Sequence, residues 1–393
     1  MSEPIVITGA ARTPMGGFQG VLSDASAAEL GAAAIRAAIE RSQLAGDAVD
    51  EVIMGCVLSA GQGQAPARQA SLGAGLAPSA GCTTINKMCG SGMKAAMLAH
   101  DLILAGTNRI MVAGGLESMS SAPYLLTGAR AGMRMGHGQV FDHMFLDGLE
   151  DAYDKGKLMG VFAENTADRY QFSREQQDEF AIASLTRARA AIEEGAFREQ
   201  ITPVTMVTRK GEATVDTDEQ PFNANLGRIP QLRPAFRRDG TVTAANSSSI
   251  SDGAAALVLM SASEADKRGL EPLAQILAHA THAHEPEWFT TAPVGAIRKL
   301  LEQVNWAADA VDLFEINEAF AVVAMAAMTD LNLDHARVNI NGGACALGHP
   351  IGASGARILV TLIHALRDRN LSRGVAALCI GGGEATAMAV ELL

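Results

Sequence analysis

Two cysteines, a histidine and an asparagine sit in settings suited to thiol chemistry. Cys89 lies in Asn86-Lys87-Met88-Cys89-Gly90-Ser91-Gly92-Met93-Lys94, between a β-like run (Thr83-Thr84-Ile85) and a helix-like run from Met93 to Ala105. A thiol where a strand enters a helix feels the positive end of the helix dipole and its unpaired N–H groups. That field favours thiolate, the nucleophilic form. The glycines that follow let the backbone turn sharply and another backbone approach closely. A buried structural cysteine is the competing reading of the same pattern.

His349 stands between Gly348 and Pro350, just before a helix. Such a fixed imidazole can take a proton from a thiol near neutral pH, or it can simply cap or pack a loop. Cys379 ends a strand and is followed by Ile380-Gly381-Gly382-Gly383, whose backbone N–H groups could stabilise an oxyanion; a buried strand cysteine beside a tight turn reads the same way. Asn317, in Asn317-Glu318-Ala319-Phe320, offers an amide at a strand end or a helix cap.

These residues need strands to hold them and helices to cover them. Strands are expected at Ile5–Thr8, Val49–Leu58, Arg109–Gly115, Leu273–Ala280, Val311–Ile316, Val338–Ile340, Val375–Ile380 and Thr386–Leu392. Helices are expected at Ala27–Arg41, from Pro66, after Cys89, and at Ser173–Glu194, Ala292–Val304 and Gly355–Leu366. Ser173 with Gln176 reads as a capping box. From Glu117 to Asn246 the alternation fades and charge rises, which marks an inserted functional region. Asp50-Glu51-Val52-Ile53 matches Asp312-Leu313-Phe314-Glu315, Cys89–Gly92 matches Ile351–Gly355, and Ile110–Gly115 matches Val375–Gly382. The offset stays at about 262 to 267 residues, the mark of duplicated halves.

The 393 residues allow two or three domains, and 48% hydrophobic with 19% charged residues suits a packed α/β protein. A net charge of −12 argues against a nucleic-acid partner. Cys56, Cys82, Cys89, Cys345 and Cys379 form no CxxC pair; reduced thiols in a cytoplasmic protein are expected, with no disulfide framework and no metal. Neither a leader before Ile5 nor a membrane-spanning run is expected.

Taken together, the motifs resemble the thiolase family of acetyl-CoA acetyltransferases and 3-ketoacyl-CoA thiolases. The resemblance rests on Ala11-Arg12-Thr13-Pro14, Pro66–Ala70, Asn86–Gly92, Gly114–Ser120, Asp239–Ala244, Ser251–Ala255, Asn317–Phe320, Gly348-His349-Pro350 and Cys379–Gly383, in family order along nearly the whole chain. It implies two similar α/β halves with mixed sheets in an α/β/α/β/α layering. The expected divisions are an N-terminal half over 1–117, an inserted loop domain over 118–246 covering coenzyme A, a return over 247–271, and a C-terminal half over 272–393.

The resemblance also implies roles. Cys89 takes the acyl group and His349 activates it; Cys379 is the acid and base at the second substrate. His349 with a water on Asn317 forms one oxyanion site, and the N–H groups of Cys89 and Gly381 form the other. Met159, Phe236, Ala319 and Phe320 line the pantetheine tunnel, Ser248 hydrogen-bonds its amides, and Arg228, with Arg233, Arg237 and Arg238, can meet phosphates. Coenzyme A is a substrate, and no cofactor is implied. Two positions depart from the family's pattern: Leu158 stands where short-chain members often carry histidine, and Pro221-Phe222-Asn223 where an arginine often faces adenine. Ser120–Met144, with Arg130 and Arg134, resembles the loop that joins dimers into a homotetramer. The rivals are a longer-chain degradative thiolase in fatty-acid breakdown, a non-catalytic acyl-CoA binding protein, and a decarboxylating condensing enzyme. The last resembles a Cys-His-His site, where this chain has Cys379.

Overall fold

The computed structural model describes residues 3–208 and 211–393. Met1 and Ser2, on which the expectation about a leader partly rests, lie outside the described residues. Nine strands make the main sheet: β1 (Ile5–Arg12), β2 (Glu51–Gly55), β3 (Gly81–Ile85), β4 (Ile110–Ser118), β5 (Ser251–Ser261), β6 (Ala274–Ala283), β7 (Leu313–Ile316), β8 (Arg373–Ile380) and β9 (Glu384–Leu392). Their order is β7-β8-β9-β6-β1-β5-β4-β2-β3, and the two-residue strand Gly16–Gly17 pairs with β5 as the tenth.

The duplication is visible in this order. In the first half β1, β5, β4 and β2 lie side by side, and in the second β6, β9, β8 and β7 do the same. The halves join edge to edge through a short antiparallel ladder, Ile5–Ile7 against Ala274–Ile276. The two expected half-sheets are thus joined in hydrogen bonding along this one short ladder. The expected strand Val338–Ile340 shrinks to a single bridge between Phe314 and Val338. Asn339 accounts for the break: its backbone is left-handed at φ 50, and its side chain bonds Ile316 N–H and C=O.

The main helices are α1 (Ala27–Arg41), α2 (Pro66–Gly73), α3 (Ser91–Leu104), α4 (Met159–Tyr170), α5 (Arg174–Glu194), α6 (Ala292–Val304), α7 (Ala321–Leu331) and α8 (Ile351–Arg369). Each half buries its apolar strands on both faces. One core cluster joins α3 and α8 to strands of both halves, through Met93, Met97, Leu259, Ile358, Leu362 and Leu378. A second packs α1 and α2 on the first half, and a third packs α6 and α7 on the second. The arrangement is five layers, helix, sheet, helix, sheet, helix, with α3 and α8 in the middle. Glycine lets these two helices meet: a Cβ on Gly92 would lie 2.8 Å from Ala356 N, and one on Gly355 2.4 Å from Met93 N.

Between β4 and β5 the chain leaves the sheet. This stretch holds the short pair Tyr124–Leu125 and Phe141–Asp142, α4, α5 and the hairpin Val204–Thr208 with Gly211–Val215. The capping box expected at Ser173 is present, with Gln176 returning the bond. A buried ion pair, Arg12 with Asp218 at 2.7 Å, pins the excursion to the end of β1. Among the described residues no helix is long and apolar enough to cross a membrane.

Candidate active site

Cys89 sits on the turn between β3 and α3. The strain of that turn falls on Met88, which is left-handed at φ 47. The following glycines serve close packing instead: a Cβ on Gly90 would lie 2.3 Å from Ile380 Cδ1. Ser91 fastens the loop, accepting from Lys87 N–H at 2.8 Å and donating to Met88 C=O at 2.6 Å. Lys87 in turn pairs with Glu384 at the start of β9.

The electrostatics reverse the expectation for the resting thiol. Burial pushes Cys89 up to about 11, although the backbone N–H groups of Gly381 and of Cys89 itself act in the other direction. The helix terminus is present, but desolvation outweighs it. Glu117 adds to the rise. Its buried carboxyl accepts N–H bonds from Val57, Leu58 and Gly352 at 2.8–3.1 Å, tying the loop after β2 to the start of α8.

His349 precedes α8. Its Nδ1 lies 2.5 Å from Ser354 Oγ, and that hydroxyl donates to Pro350 C=O at 2.9 Å. Ser354 thus occupies Nδ1 and leaves Nε2 as the nitrogen open to the cavity. Nε2 is buried and has no hydrogen-bond partner, and His349 lines the same cavity as Cys89. Burial, with the Arg357 charge second, lowers its pKa to about 3, so the resting imidazole is neutral.

Cys379, the last residue but one of β8, is fully buried in a cluster with the wall residues Ala319, Phe320 and Phe289. Burial raises its thiol well above the usual range, and the neighbouring Cys89 adds to this. Asn317 ends β7 behind His349. Its amide nitrogen is 3.5 Å from Nδ1, and its oxygen accepts from Arg357 at 3.4 Å. Neither Cys379 nor Asn317 lies on the cavity wall itself.

The cavity measures about 360 Å³. Cys89, His349, Gly381, Met159, Phe236, Ser248, Ala319 and Phe320 line it, eight of the residues named from sequence. Ser248 departs in detail: its hydroxyl proton goes to Ala319 C=O at 3.0 Å, leaving it free to accept only. Arg228 lines a separate outer hollow of about 450 Å³ that shares Ala244, Ser247 and Ser249 with the inner cavity. Arg237 is taken by Asp168 at 2.7 Å and Asp239 at 3.3 Å, whereas Arg228, Arg233 and Arg238 are exposed without an ion-pair partner among the described residues.

Several residues escaped the sequence. Met88, Phe145, Leu149, Ile250, Phe289 and Ile351 make much of the apolar wall, and Leu158 lies among them. Ser354 and Arg357 escaped as well. Ser354 carried a signal: the repeat aligns it with Ser91, and both serines fasten a loop at the start of a central helix.

A duplicated α/β architecture with a half-buried thiol and a free imidazole nitrogen on one cavity defines a class of enzyme built for acyl-transfer chemistry. The thiolase N-terminal domain model matches residues 5–263 and the C-terminal domain model residues 270–392. The chain belongs to the thiolase family. It is 50% identical over 388 residues to an acetyl-CoA acetyltransferase of Pseudomonas aeruginosa, covering 98% of each chain. It is 51% identical over 390 residues to the Escherichia coli protein of that name, covering 99% of each. Among solved structures, the acetyl-CoA acetyltransferase of Bacillus anthracis superimposes with a TM-score of 0.97 at 42% identity, over 100% of this chain and 99% of that one. A thiolase of Ascaris suum solved in complex with coenzyme A gives 0.94 at 44% identity, over 99% and 100%.

Proposed function

We propose that this thiolase is an acetyl-CoA acetyltransferase. It condenses two acetyl-CoA to acetoacetyl-CoA, and in reverse it cleaves 3-ketoacyl-CoA with coenzyme A. The observation that carries the reading is the unpartnered Nε2 of His349 on the same cavity as Cys89, with Cys379 in the buried cluster that includes the wall residues Ala319 and Phe320.

In the proposed cycle His349 Nε2 takes the Cys89 proton. Sγ attacks the acetyl carbonyl, the bond to coenzyme A sulfur breaks, and the departing thiolate takes a proton from Cys379. A second acetyl-CoA then gives a methyl proton to the Cys379 thiolate. Its carbanion attacks the acyl carbon, and Cys89 leaves and recovers its proton from His349. Charge on the thioester oxygen would rest on the N–H groups of Cys89 and Gly381, and on His349 with a water held by Asn317. A neutral thiol beside a neutral imidazole is the expected resting state, since the pair need ionise only when substrate arrives. The chemistry calls for no metal or redox cofactor, because coenzyme A enters as substrate.

Pantetheine is assigned to the inner cavity, with Ser248 accepting from its amides, and the phosphate end to the outer hollow beside Arg228. The segment over 118–246 would cover the coenzyme. A cytoplasmic homotetramer in fatty-acid metabolism is the wider setting proposed. The exposed apolar side chains Tyr124, Met133, Met135 and Val140 on the 120–144 loop support the assembly.

The apolar wall of Leu158, Phe145, Leu149 and Ile250 favours a second reading, a degradative thiolase for longer chains. Thiolysis of a chain-length series of 3-ketoacyl-CoA, with Cys89→Ala as control, decides between them. The highest kcat/KM with acetoacetyl-CoA supports the first reading, and equal or higher values with longer chains support the second. Full activity in Cys89→Ala would overturn both.

A further inference from the structure

Away from the cavity, three donor atoms from the two halves converge. His100 and Asp101 lie in the last two turns of α3, and His279 lies in the middle of β6. His100 Nδ1 is 3.1 Å and His279 Nε2 2.9 Å from the same oxygen, Asp101 Oδ1. All three atoms lie within 4.8 Å of one another. The two imidazoles meet edge to face, centroids 5.1 Å apart at 87°.

From this geometry we infer a binding site for a divalent transition metal, with zinc the ion best matched to its donors. Two imidazole nitrogens and a carboxylate suit zinc, whereas calcium and magnesium require oxygen. Tetrahedral zinc, with bonds of about 2.0–2.2 Å, holds its donors about 3.3 Å apart, so the two nitrogen-to-oxygen distances need to open by only a few tenths of an ångström, and the two nitrogens, within 4.8 Å of each other, must settle at the same spacing. The movement is available because the Asp101 side chain is half exposed, and that open side admits water as a fourth ligand. His279 Nε2 stands opposite, so the ion would have a donor from each half of the molecule.

The position gives the site its meaning. α3 begins at the Cys89 loop, and β6 belongs to the half that carries His349 and Cys379. An ion here clamps the nucleophile's helix to the opposite half, roughly ten residues and therefore about 15 Å along α3 from the reacting thiol. Its effect is on stability and on the relative setting of the halves, and it takes no part in bond making. The inference is independent of which acyl-CoA the cavity accepts.

The test titrates metal-stripped full-length protein with zinc against a chromophoric chelator, in parallel with Asp101→Asn, His279→Gln and Cys89→Ala. One ion per chain is expected for the wild type and for Cys89→Ala, with affinity lower by about tenfold or more in the two ligand variants. Zinc should raise Tm only where the triad is intact. Cobalt(II), bound in place of zinc, should show d–d absorption without the thiolate charge-transfer band that a cysteine site would give. Asp101→Asn changes a half-exposed side chain, so it reports even where His279→Gln fails to fold. No uptake by the wild type, unchanged uptake in Asp101→Asn, or uptake lost in Cys89→Ala each overturns the inference. The first leaves a hydrogen-bonded triad, and the last moves the ion to the catalytic thiols.

Discussion

His349 and Ser354 form a fixed unit: Nδ1 lies 2.5 Å from Oγ, and Oγ in turn lies 2.9 Å from the Pro350 carbonyl oxygen. One serine thereby holds Nδ1, and Nε2 is the nitrogen left without a partner. Ser354→Ala removes the partner that holds Nδ1, so the ring can flip or change tautomer. We expect kcat for thiolysis to fall on the order of tenfold to a hundredfold, with little change in KM. Unaltered circular dichroism would show that the fold survives. A kcat within about a factor of two of wild type would remove Ser354 from the mechanism.

Cys89 in the free enzyme should behave as a reluctant thiol. Burial holds it at about 11 while His349 stays neutral down to about 3. Alkylation by iodoacetamide is therefore expected to be slow at pH 7 and to climb steadily through pH 10. Mass spectrometry of the Cys89 peptide gives the rate at each pH. A rate that levels off below pH 8 would mean that a thiolate–imidazolium pair already exists at rest, contrary to the geometry described.

Leu158 adjoins Met159, whose sulfur lies 3.5 Å from where a Cβ on Gly381 would stand, so this stretch borders the reacting end of the cavity. Leu158→Trp adds bulk there without adding charge. Longer 3-ketoacyl chains should lose kcat/KM by about tenfold or more relative to acetoacetyl-CoA, since one or two methylenes displaced from an apolar pocket are worth about 1–3 kcal/mol each. The ratio of the two substrates is the measurement. An unchanged ratio places the acyl chain elsewhere in the cavity.

What the sequence could show of this site followed distance along the chain. Cys89, His349 and Cys379 were legible because each sits at an element end among glycines, and the repeat was legible because its offset hardly varies. β5 was not named, although it is the central partner of β1 and β4. Its run Ser251–Ser261 is buried on both faces, so it shows no alternation to read. The fusion of the two halves into one sheet depends on the short β1–β6 ladder, which leaves no local pattern. The thiol's rise to about 11 was hidden for a different reason: the helix terminus is visible in sequence, and the desolvation that outweighs it is a property of packing. Phe145, Ile250 and Phe289 reach the cavity from separate segments, and nothing in their own neighbourhoods distinguishes them from core. The triad of His100, Asp101 and His279 needs both halves folded before it exists.

Stability against pH offers a separate check on the buried charges behind the site. Burial raises Glu117 to about 7 and Glu315 to about 8, and Arg357 opposes the rise at Glu315. Both carboxyls therefore bind protons more tightly folded than unfolded, where the ordinary value is 4.5. Their stabilising contribution is complete below the unfolded pKa and is lost as pH rises through 7 and 8. His349 at about 3 and His364 at about 4 have the opposite sign. Their contribution is present above the unfolded value of 6.5 and is lost as pH falls towards 3 and 4. Between pH 4.5 and 6.5 the two slopes oppose each other, while from 6.5 to 8.5 only the carboxyl slope remains. Tm should accordingly decline across pH 6.5–8.5. Glu315→Gln replaces a protonated carboxyl by a neutral group of the same shape, so it should flatten that decline at modest cost near pH 6. Calorimetry of both proteins over this range provides the comparison. An equally steep decline in Glu315→Gln would show that Glu315 is already ionised in the folded protein, held by Arg357 at 3.5 Å, and that the Coulomb attraction outweighs desolvation beside the active site.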